Sequence, residues 1–274
     1  MRRLPRLGAV IAASLATSCG AALQRLPAGP GQPDPDAASV FAQATISCRA
    51  VASLSAELRV SGTAAGQRLR GRVLAGLAAP ASVYLDAAAP FGASLFIYAA
   101  KDDEATLLLP RDERVLRDGS PAAVLGAVTG VPLDAARLRQ TMTGCAPDQP
   151  VLSGLRFNDA WRAVRVASAD AYLHRQSSSV PWQLVAVRYS RAGSDEGWRA
   201  DYAGFGPDGL PRTVRLVSGD GGRRFDLTVA LAQVEVNPVL AAAVFDVTVP
   251  PSFSDISLDE VRRAGPLGTS RDRQ

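Results

Sequence analysis

Residues 54–62 read Leu54-Ser55-Ala56-Glu57-Leu58-Arg59-Val60-Ser61-Gly62, so that apolar and polar side chains alternate without a break. Because successive side chains of a β-strand point to opposite faces, this pattern predicts a strand with one buried and one solvated face. A second strand of the same kind follows, in which Leu69, Gly71 and Val73 alternate with arginines. The arginines are Arg68, Arg70 and Arg72.

More strands are predicted further along the chain, with turn residues between them. In the last strand the apolar positions change phase between Leu231 and Val234, which predicts a bulge or a strand covered on both sides. Three Asp-Gly pairs predict hairpin turns: Asp118-Gly119, Asp208-Gly209 and Asp220-Gly221. The predicted strands are 82–87, 93–99, 104–109, a strand near Trp161, 182–191, 198–205, 212–218 and 223–236.

Helical patterns occur in two places. In residues 37–53, apolar side chains recur at helical spacing and include Phe41, Ala44, Cys48 and Val51. Residues 120–144 interrupt the strand pattern with two short helices. Ser120 and Asp134 are suitable amino-terminal caps for them, and Gly130 and Gly144 are suitable stops.

The amino terminus has the composition of an export signal. Residues 1–18 contain a basic start, a short apolar run and small residues before Cys19. The apolar run is much shorter than the roughly 20 residues that a permanent membrane span requires. Leu15-Ala16-Thr17-Ser18-Cys19 resembles the lipobox of bacterial lipoproteins, which implies cleavage before Cys19 and acylation of its side chain and amino group. An ordinary secreted protein is the alternative.

Composition limits the remaining possibilities. Residues 19–36 are rich in Pro, Gly and Asp, which predicts a flexible linker. Three of the 30 basic residues lie in the signal, leaving 27 against 26 acidic ones, so the charge gives no reason to expect a nucleic acid partner. With Cys19 acylated, Cys48 and Cys145 remain as a pair, and export favours a disulfide between them over two buried thiols.

Signs of catalysis are scarce. His174 is the only histidine, so a cluster of histidine ligands is excluded, and we expect no metal and no cofactor. No nucleophile elbow or phosphate-binding loop occurs. Asp102, Asp103 and Glu104 lack the alternating spacing of a calcium loop and are interpreted as a solvated turn. An exported hydrolase is therefore disfavoured, and we expect no enzyme.

Four segments resemble LolB-like outer-membrane lipoprotein receptors of the wider LolA/LolB-like superfamily. The resemblance covers roughly residues 37–250 and depends on the order and spacing of the segments, since no single motif is diagnostic. They are Val124-Leu125-Gly126-Ala127-Val128-Thr129-Gly130-Val131-Pro132-Leu133 continuing to Gly144, Ala89-Pro90-Phe91-Gly92, Asp208-Gly209-Leu210-Pro211-Arg212, and Val234-Glu235-Val236-Asn237-Pro238 with Phe245-Asp246-Val247.

The resemblance implies a mainly antiparallel β fold, an incomplete half-barrel wrapped around a few helices and an apolar cavity. It assigns residues 37–253 to this domain and 254–274 to a tail. It implies a membrane-contact loop formed by Pro90, Phe91 and Gly92, with Phe91 at its tip. The predicted cavity lining, for which ordinary core packing is the alternative, is Ala56, Leu58, Val60, Leu69 and Val73.

The function implied is delivery of acyl chains of lipoproteins or other lipids to the outer membrane. The protein would be a monomer facing the periplasm, anchored through Cys19 and supplied by a LolA-like carrier. Gly20, rather than Asp, after the anchor fits outer-membrane sorting in Gram-negative bacteria. The alternative is a structural envelope lipoprotein that binds a protein partner. For Arg68, Arg70 and Arg72, a solvated face is favoured over contact with lipid head groups.

Overall fold

The computed structural model describes residues 24–88, 94–191, 194–219 and 221–265. The helices are α1 (Ala37–Arg49), α2 (Pro121–Thr129), α3 (Ala135–Met142) and α4 (Leu258–Ala264), with a 3-10 turn at Ala242–Phe245. The strands are β1 (Gln32–Pro33), β2 (Ser53–Ala64), β3 (Gln67–Ala78), β4 (Ser82–Ala88), β5 (Phe96–Lys101), β6 (Glu104–Leu109), β7 (Arg114–Gly119), β8 (Val151–Arg156), β9 (Trp161–Val166), β10 (Ala169–His174), β11 (Gln183–Arg191), β12 (Ser194–Ala203), β13 (Thr213–Ser218), β14 (Phe225–Val236) and β15 (Ser254–Asp255).

All the strands belong to one open sheet. Its order is β1-β8-β9-β10-β11-β12-β13-β14-β2-β3-β4-β5-β6-β7-β15, and β15 alone pairs in parallel. The inner face of the sheet packs against α1, α2 and α3, whereas the outer face carries most of the polar side chains. The predicted class, a mainly antiparallel and incomplete barrel wrapped around a few helices, is confirmed.

The helices lie close to their predicted positions. Gly130 ends α2 in the left-handed region, and the Asp134 side chain caps α3 by accepting a hydrogen bond of 2.7 Å from the amide of Arg137. Ser120 precedes α2 but makes no side-chain cap bond. Helix α1 ends at Arg49 instead of 53, because the Asn237 carboxamide binds the backbone of Ala50, Ala52 and Ser53 and directs the chain into β2.

Of two strand features predicted from the sequence, the phase change in β14 is present and the hairpin at Asp118-Gly119 is not. The phase change in β14 is a bulge: the register with β2 shifts between Ala232 and Glu235, and Gln233 has a φ of 49°. The hairpin predicted at Asp118-Gly119 is wrong, because this pair ends β7 and leads into α2. Gly119 is required there for close packing, since a Cβ on it would lie 2.4 Å from Val124.

The N-terminal strap, residues 24–36, lies against the domain. The amide of Gln24 donates to Asp201 on the outer face of β12 at 3.1 Å, and Arg199 donates to the Gln24 carbonyl at 2.5 Å. The strap then forms β1 on the sheet edge, and Asp34 pairs with Arg162 on the inner face at 2.9 Å. The sequence predicts a flexible linker as far as residue 36, whereas these contacts hold residues 24–36 in place.

The C-terminal strap, residues 238–264, crosses the opposite half of the sheet. Leu240 and Val244 lie over Gly76 on the outer face, where a Cβ would be 3.8 and 3.9 Å from them. The chain then pairs with β7 as β15, and α4 packs against α2 and buries Val261. The domain predicted to end at 253 therefore includes residues 254–264, because these form a strand and a capped helix on it.

Candidate functional site

Two predicted functional positions lie outside the described residues. These are the anchor Cys19 and the loop of Pro90, Phe91 and Gly92. The structure does show where the loop is rooted. It leaves β4 after Ala88 and rejoins the described chain at Ser94, and the amide of Leu95 donates to the Ala87 carbonyl at 2.7 Å.

Within the described residues, β4 ends with Ala88 opposite Arg72, and β3 continues from there to Gln67 in register with β2. The described part of β4 therefore ends opposite the middle of β3, and residues 89–93 follow from that point.

An apolar pocket of about 80 Å³ lies near the end of β4, between the inner face of β2 and β3 and the carboxyl end of α2. Three of the five predicted lining residues, Val60, Leu69 and Val73, are among its walls, to which Arg70 and Arg72 also contribute. Ala56 and Leu58 are buried in the core instead. The remaining walls are Gly71, Ala87, Leu95, Phe96, Val128, Thr129 and Leu227.

The pocket is smaller than the resemblance implies. Sites for small molecules usually measure about 300–1,000 Å³, so 80 Å³ accommodates only the end of an acyl chain. Most of the inner face is packed instead with completely buried side chains, for example Leu77, Leu107 and Val124. The expectation of a wide hollow between sheet and helices is wrong for this conformation, because α2 and α3 lie directly on the apolar side chains of the sheet.

Gly71 is the open wall of the pocket. A Cβ at this position would meet no heavy atom of the described residues within 4 Å. The alternation along β3 directs that Cβ to the same side as Leu69 and Val73. A larger side chain at 71 would therefore occupy the pocket without displacing its walls.

A second, more polar groove of about 360 Å³ lies where the α2–α3 connection meets β11 and β12. The Arg137 guanidinium lies 4.6 Å above the centre of the Tyr189 ring, and Tyr189 stacks on Trp198 at 4.0 Å. Burial raises the pKa of Tyr189, and the Arg137 charge opposes this shift. Sequence reasoning missed this groove, because its aromatic residues lie on strands whose apolar pattern indicates only core packing.

The two remaining cysteines join the helices of the inner face. Cys48 of α1 and Cys145, just after α3, form a disulfide with Cα atoms 5.5 Å apart. Cys48 is buried, as its place on the apolar side of α1 predicts. The bond closes a long loop, since 97 positions separate the two residues in the sequence.

The described residues offer little for catalysis. In this part of the chain no group of three or more His, Cys, Asp or Glu side chains could hold a metal ion. His174 packs against Trp161 with ring centres 4.6 Å apart, as a structural histidine does. Asp102, Asp103 and Glu104 are exposed at the turn between β5 and β6. None of the helices described here has the length and apolar composition needed to cross a bilayer.

Comparison by sequence gives no relative. No protein-family profile matches the chain, and no curated protein matches it at a significant level. With so little sequence similarity, only the arrangement of strands and helices can relate this chain to known proteins.

Comparison by structure does find proteins of similar fold. A LolA superfamily protein from Nitrosomonas europaea superposes with a TM-score of 0.55 and 12% identity, over 76% of this chain and 96% of that one. A domain from Vibrio parahaemolyticus, described as a putative outer membrane lipoprotein-sorting protein, superposes with a TM-score of 0.50 and 10% identity, over 76% and 95%. The chain therefore shares its fold with these two structures.

Proposed function

We propose that this protein is a lipid-anchored envelope receptor that accepts acyl chains of lipoproteins or other lipids and delivers them to the outer membrane. The observation that carries the proposal is the apolar pocket between β2, β3 and α2, whose walls include Ala87 and Leu95 on either side of residues 89–93. The described sorting role of the Vibrio parahaemolyticus domain supports the same class of function. The pocket offers apolar walls and no reactive group, which suits binding rather than catalysis.

Energetics favour this use of the pocket. Each methylene group that leaves water contributes about 0.8 kcal/mol, so an acyl chain gains much from even partial burial. A whole chain requires α2 to move away from β2 and β3, because the present pocket holds only 80 Å³. The burial of the incoming chain supplies free energy for that separation, and transfer to the bilayer returns the chain to a similar environment.

The anchor completes the proposal. Residues 1–18 direct export, and acylated Cys19 holds the protein to the periplasmic side of the outer membrane, since two or more chains anchor stably. A periplasmic LolA-like carrier supplies the cargo to a monomeric receptor, and neither a cofactor nor a nucleotide takes part. Delivery is assigned to the loop of Pro90, Phe91 and Gly92, whose apolar tip contacts the bilayer.

Filling the pocket tests acceptance of cargo. Gly71→Leu places a side chain in the open wall, and we expect affinity for a synthetic triacylated lipopeptide to fall at least tenfold, roughly the loss of two buried methylenes. Fluorescence titration with a labelled lipopeptide measures it. Ser153→Leu, an equally apolar change on exposed β8, is the control. Equal affinities for Gly71→Leu and the native chain would exclude this pocket as the acyl site.

A charged loop tip tests delivery. Phe91→Glu should impair transfer of lipopeptide to vesicles, because a carboxylate is unfavourable in the apolar part of a bilayer. Acceptance of the lipopeptide should stay as in the native chain, since the proposal assigns acyl binding to the described walls of the pocket and only membrane contact to Phe91. Transfer at the native rate would refute the assignment of the loop.

A second candidate function is a structural lipoprotein that binds a protein partner. The packed inner face favours it, since a filled interior leaves little room for cargo. Native mass spectrometry of protein purified from membranes separates the two. Acylated cargo that co-purifies supports the receptor, whereas a consistently empty chain in complex with one defined protein supports the structural role.

A further inference from the structure

Three arginines project from the outer face of β3 beside the pocket. Arg68, Arg70 and Arg72 are all exposed. Within the part of the chain that the structure describes, no ion pair involves them. The 89–93 segment that follows β4 contains no acidic residue either. The three charges therefore form a row, the β3 arginine row, on the outer face of the sheet.

The neighbours of this row do not neutralise it. Opposite the three arginines on β2 lie Thr63, Ser61 and Arg59, and Arg59 already pairs with Glu57. Side chains two positions apart on one face are about 6.7 Å apart, and Arg72 also lies directly opposite Arg59, an arrangement of like charges that destabilises a strand pair. Binding of anions to this surface would offset that repulsion.

Gln24, the first residue that the structure describes, lies on the same face. Asp201, which binds Gln24, shares a cross-strand row with Arg70 through Arg215, Thr228 and Ser61. Four strand spacings of about 4.8 Å separate Asp201 from Arg70. Five residues lead back from Gln24 to Cys19 and span at most about 18 Å. Given the anchor of the proposed function, the bilayer lies close to this face.

We infer that the β3 arginine row binds the phosphate groups of anionic phospholipids in the membrane that holds the anchor. The contact brings the end of β4, where Ala88 lies opposite Arg72, close to the bilayer. The inference deepens the proposed function and depends on it for the anchor at Cys19. Arginine suits the task, because its planar guanidinium forms two parallel hydrogen bonds to a phosphate.

Vesicle binding by the chain without its anchor tests the inference. Residues 20–274, which include every described residue, are mixed with vesicles of phosphatidylcholine alone or of an equimolar mixture with phosphatidylglycerol. We expect co-sedimentation with the anionic vesicles only, and its loss at 1 M salt, where the screening length is about 3 Å. Each arginine contributes about fivefold in affinity, so Arg68→Gln/Arg70→Gln/Arg72→Gln should bind on the order of 100-fold more weakly.

A control of equal charge identifies the surface. Arg111→Gln/Arg117→Gln/Arg263→Gln removes three positive charges near β7 and α4, and its affinity should stay close to that of the native chain. An equal loss in both triple variants would overturn the inference in favour of net charge alone. Binding of inorganic phosphate without binding of anionic vesicles would overturn it too, because the site would then serve the free ion.

Two further readings separate this inference from the proposed function. The arginine variant should unfold at an equal or higher urea concentration than the native chain, since it loses like-charge repulsion; weaker binding then reflects the surface and not the fold. If the native chain binds anionic vesicles but takes up no lipopeptide, the lipid-binding role of the β3 arginine row is supported and the proposed receptor function is refuted. If it takes up lipopeptide but does not bind the vesicles, the receptor function is supported and the role of the arginine row is refuted.

Discussion

Asp34 and Arg162 form an ion pair inside the domain, with side chains only 6% and 10% exposed. Arg162 lies 4.8 Å from the centre of the Trp182 ring, and its Nη1 donates to the carbonyls of Asn158 and Trp161. Removing one partner of such a pair leaves the other charge buried and uncompensated. At the scale of single residues, this pair is what joins the N-terminal strap to the inner face.

Loss of the carboxylate should therefore be costly. We expect Asp34→Ala to lower the free energy of unfolding by about 3 kcal/mol, measured by urea denaturation. Asp170→Ala is the matched control, because Asp170 pairs with an Arg165 side chain that is 64% exposed and should lose less than about 1 kcal/mol. Equal losses in the two variants would mean that burial does not govern this pair.

The position of a single side chain could be predicted from the sequence only where the alternation of apolar and polar residues along a strand determines its face. Leu69 and Val73 were placed on the inner face from the pattern of β3, and both line the pocket. Ala56 and Leu58 obey the same pattern but lie where the helices cover the sheet. Gly71 was missed, because alternation gives the direction of a position but not the empty space beside it. Asp34 resembled any polar linker residue.

At the scale of elements, the disulfide connects α1 to the segment after α3. Both helices pack on the inner face, α1 on β8, β9 and β11 and α3 on β3 and β4. The bond thus links helices that contact distant strands of one open sheet. A cross-link over 97 positions restricts the unfolded chain strongly, and a loop of this length corresponds to about 4–5 kcal/mol in the chain-entropy model.

Removal of both cysteines should therefore abolish the stabilisation that the disulfide provides. Cys48→Ala/Cys145→Ala is expected to unfold with a free energy about 2–4 kcal/mol lower than the oxidised chain, by urea denaturation. The reduced native chain serves as the control and should resemble the double variant. An oxidised and a reduced chain of equal stability would contradict the expectation.

Elements were easier to predict than their ends. The apolar periods and glycine stops located α2 and α3 within a few residues. The end of α1 was misjudged because Asn237, remote in the sequence, determines it. β1 and β15 were missed, since strands of two residues carry no periodic signal, and β7, β8 and β10 were not predicted either. The fold class followed from local patterns, whereas the straps depend on contacts between distant residues.

At the scale of the molecule, four tyrosines link folding to alkaline pH. Burial raises the pKa of Tyr84, Tyr98, Tyr189 and Tyr202 above the ordinary value of 10.0. Tyr98 is fully buried and its hydroxyl donates to the Pro121 carbonyl at 3.1 Å. In the unfolded chain these groups lose their protons near pH 10, while the folded chain retains them to higher pH. The folded state then binds more protons than the unfolded state.

The free energy of unfolding should accordingly fall as the pH rises above about 10, because its slope against pH is proportional to the difference in bound protons between the unfolded and the folded state. Each tyrosine contributes up to about 1.4 kcal/mol per pH unit to this decrease in the free energy of unfolding. Urea denaturation at a series of pH values up to about 11 measures the slope. Tyr98→Phe removes one of these groups and should give a shallower slope. A free energy of unfolding independent of pH in this range would contradict the assignment.

The outermost strands of the sheet, β1 and β15, contain two residues each. A sheet with long unpaired edge strands can add strands of a second copy by hydrogen bonding, and repeated addition of this kind produces fibres. Here residues 32–33 and 254–255 form the outermost described strands, and Pro33 within β1 has no amide hydrogen to donate to an added strand. Acylation of Cys19, as proposed, would concentrate copies of the protein on a membrane, where they meet often. Edge strands this short would limit strand addition between such copies.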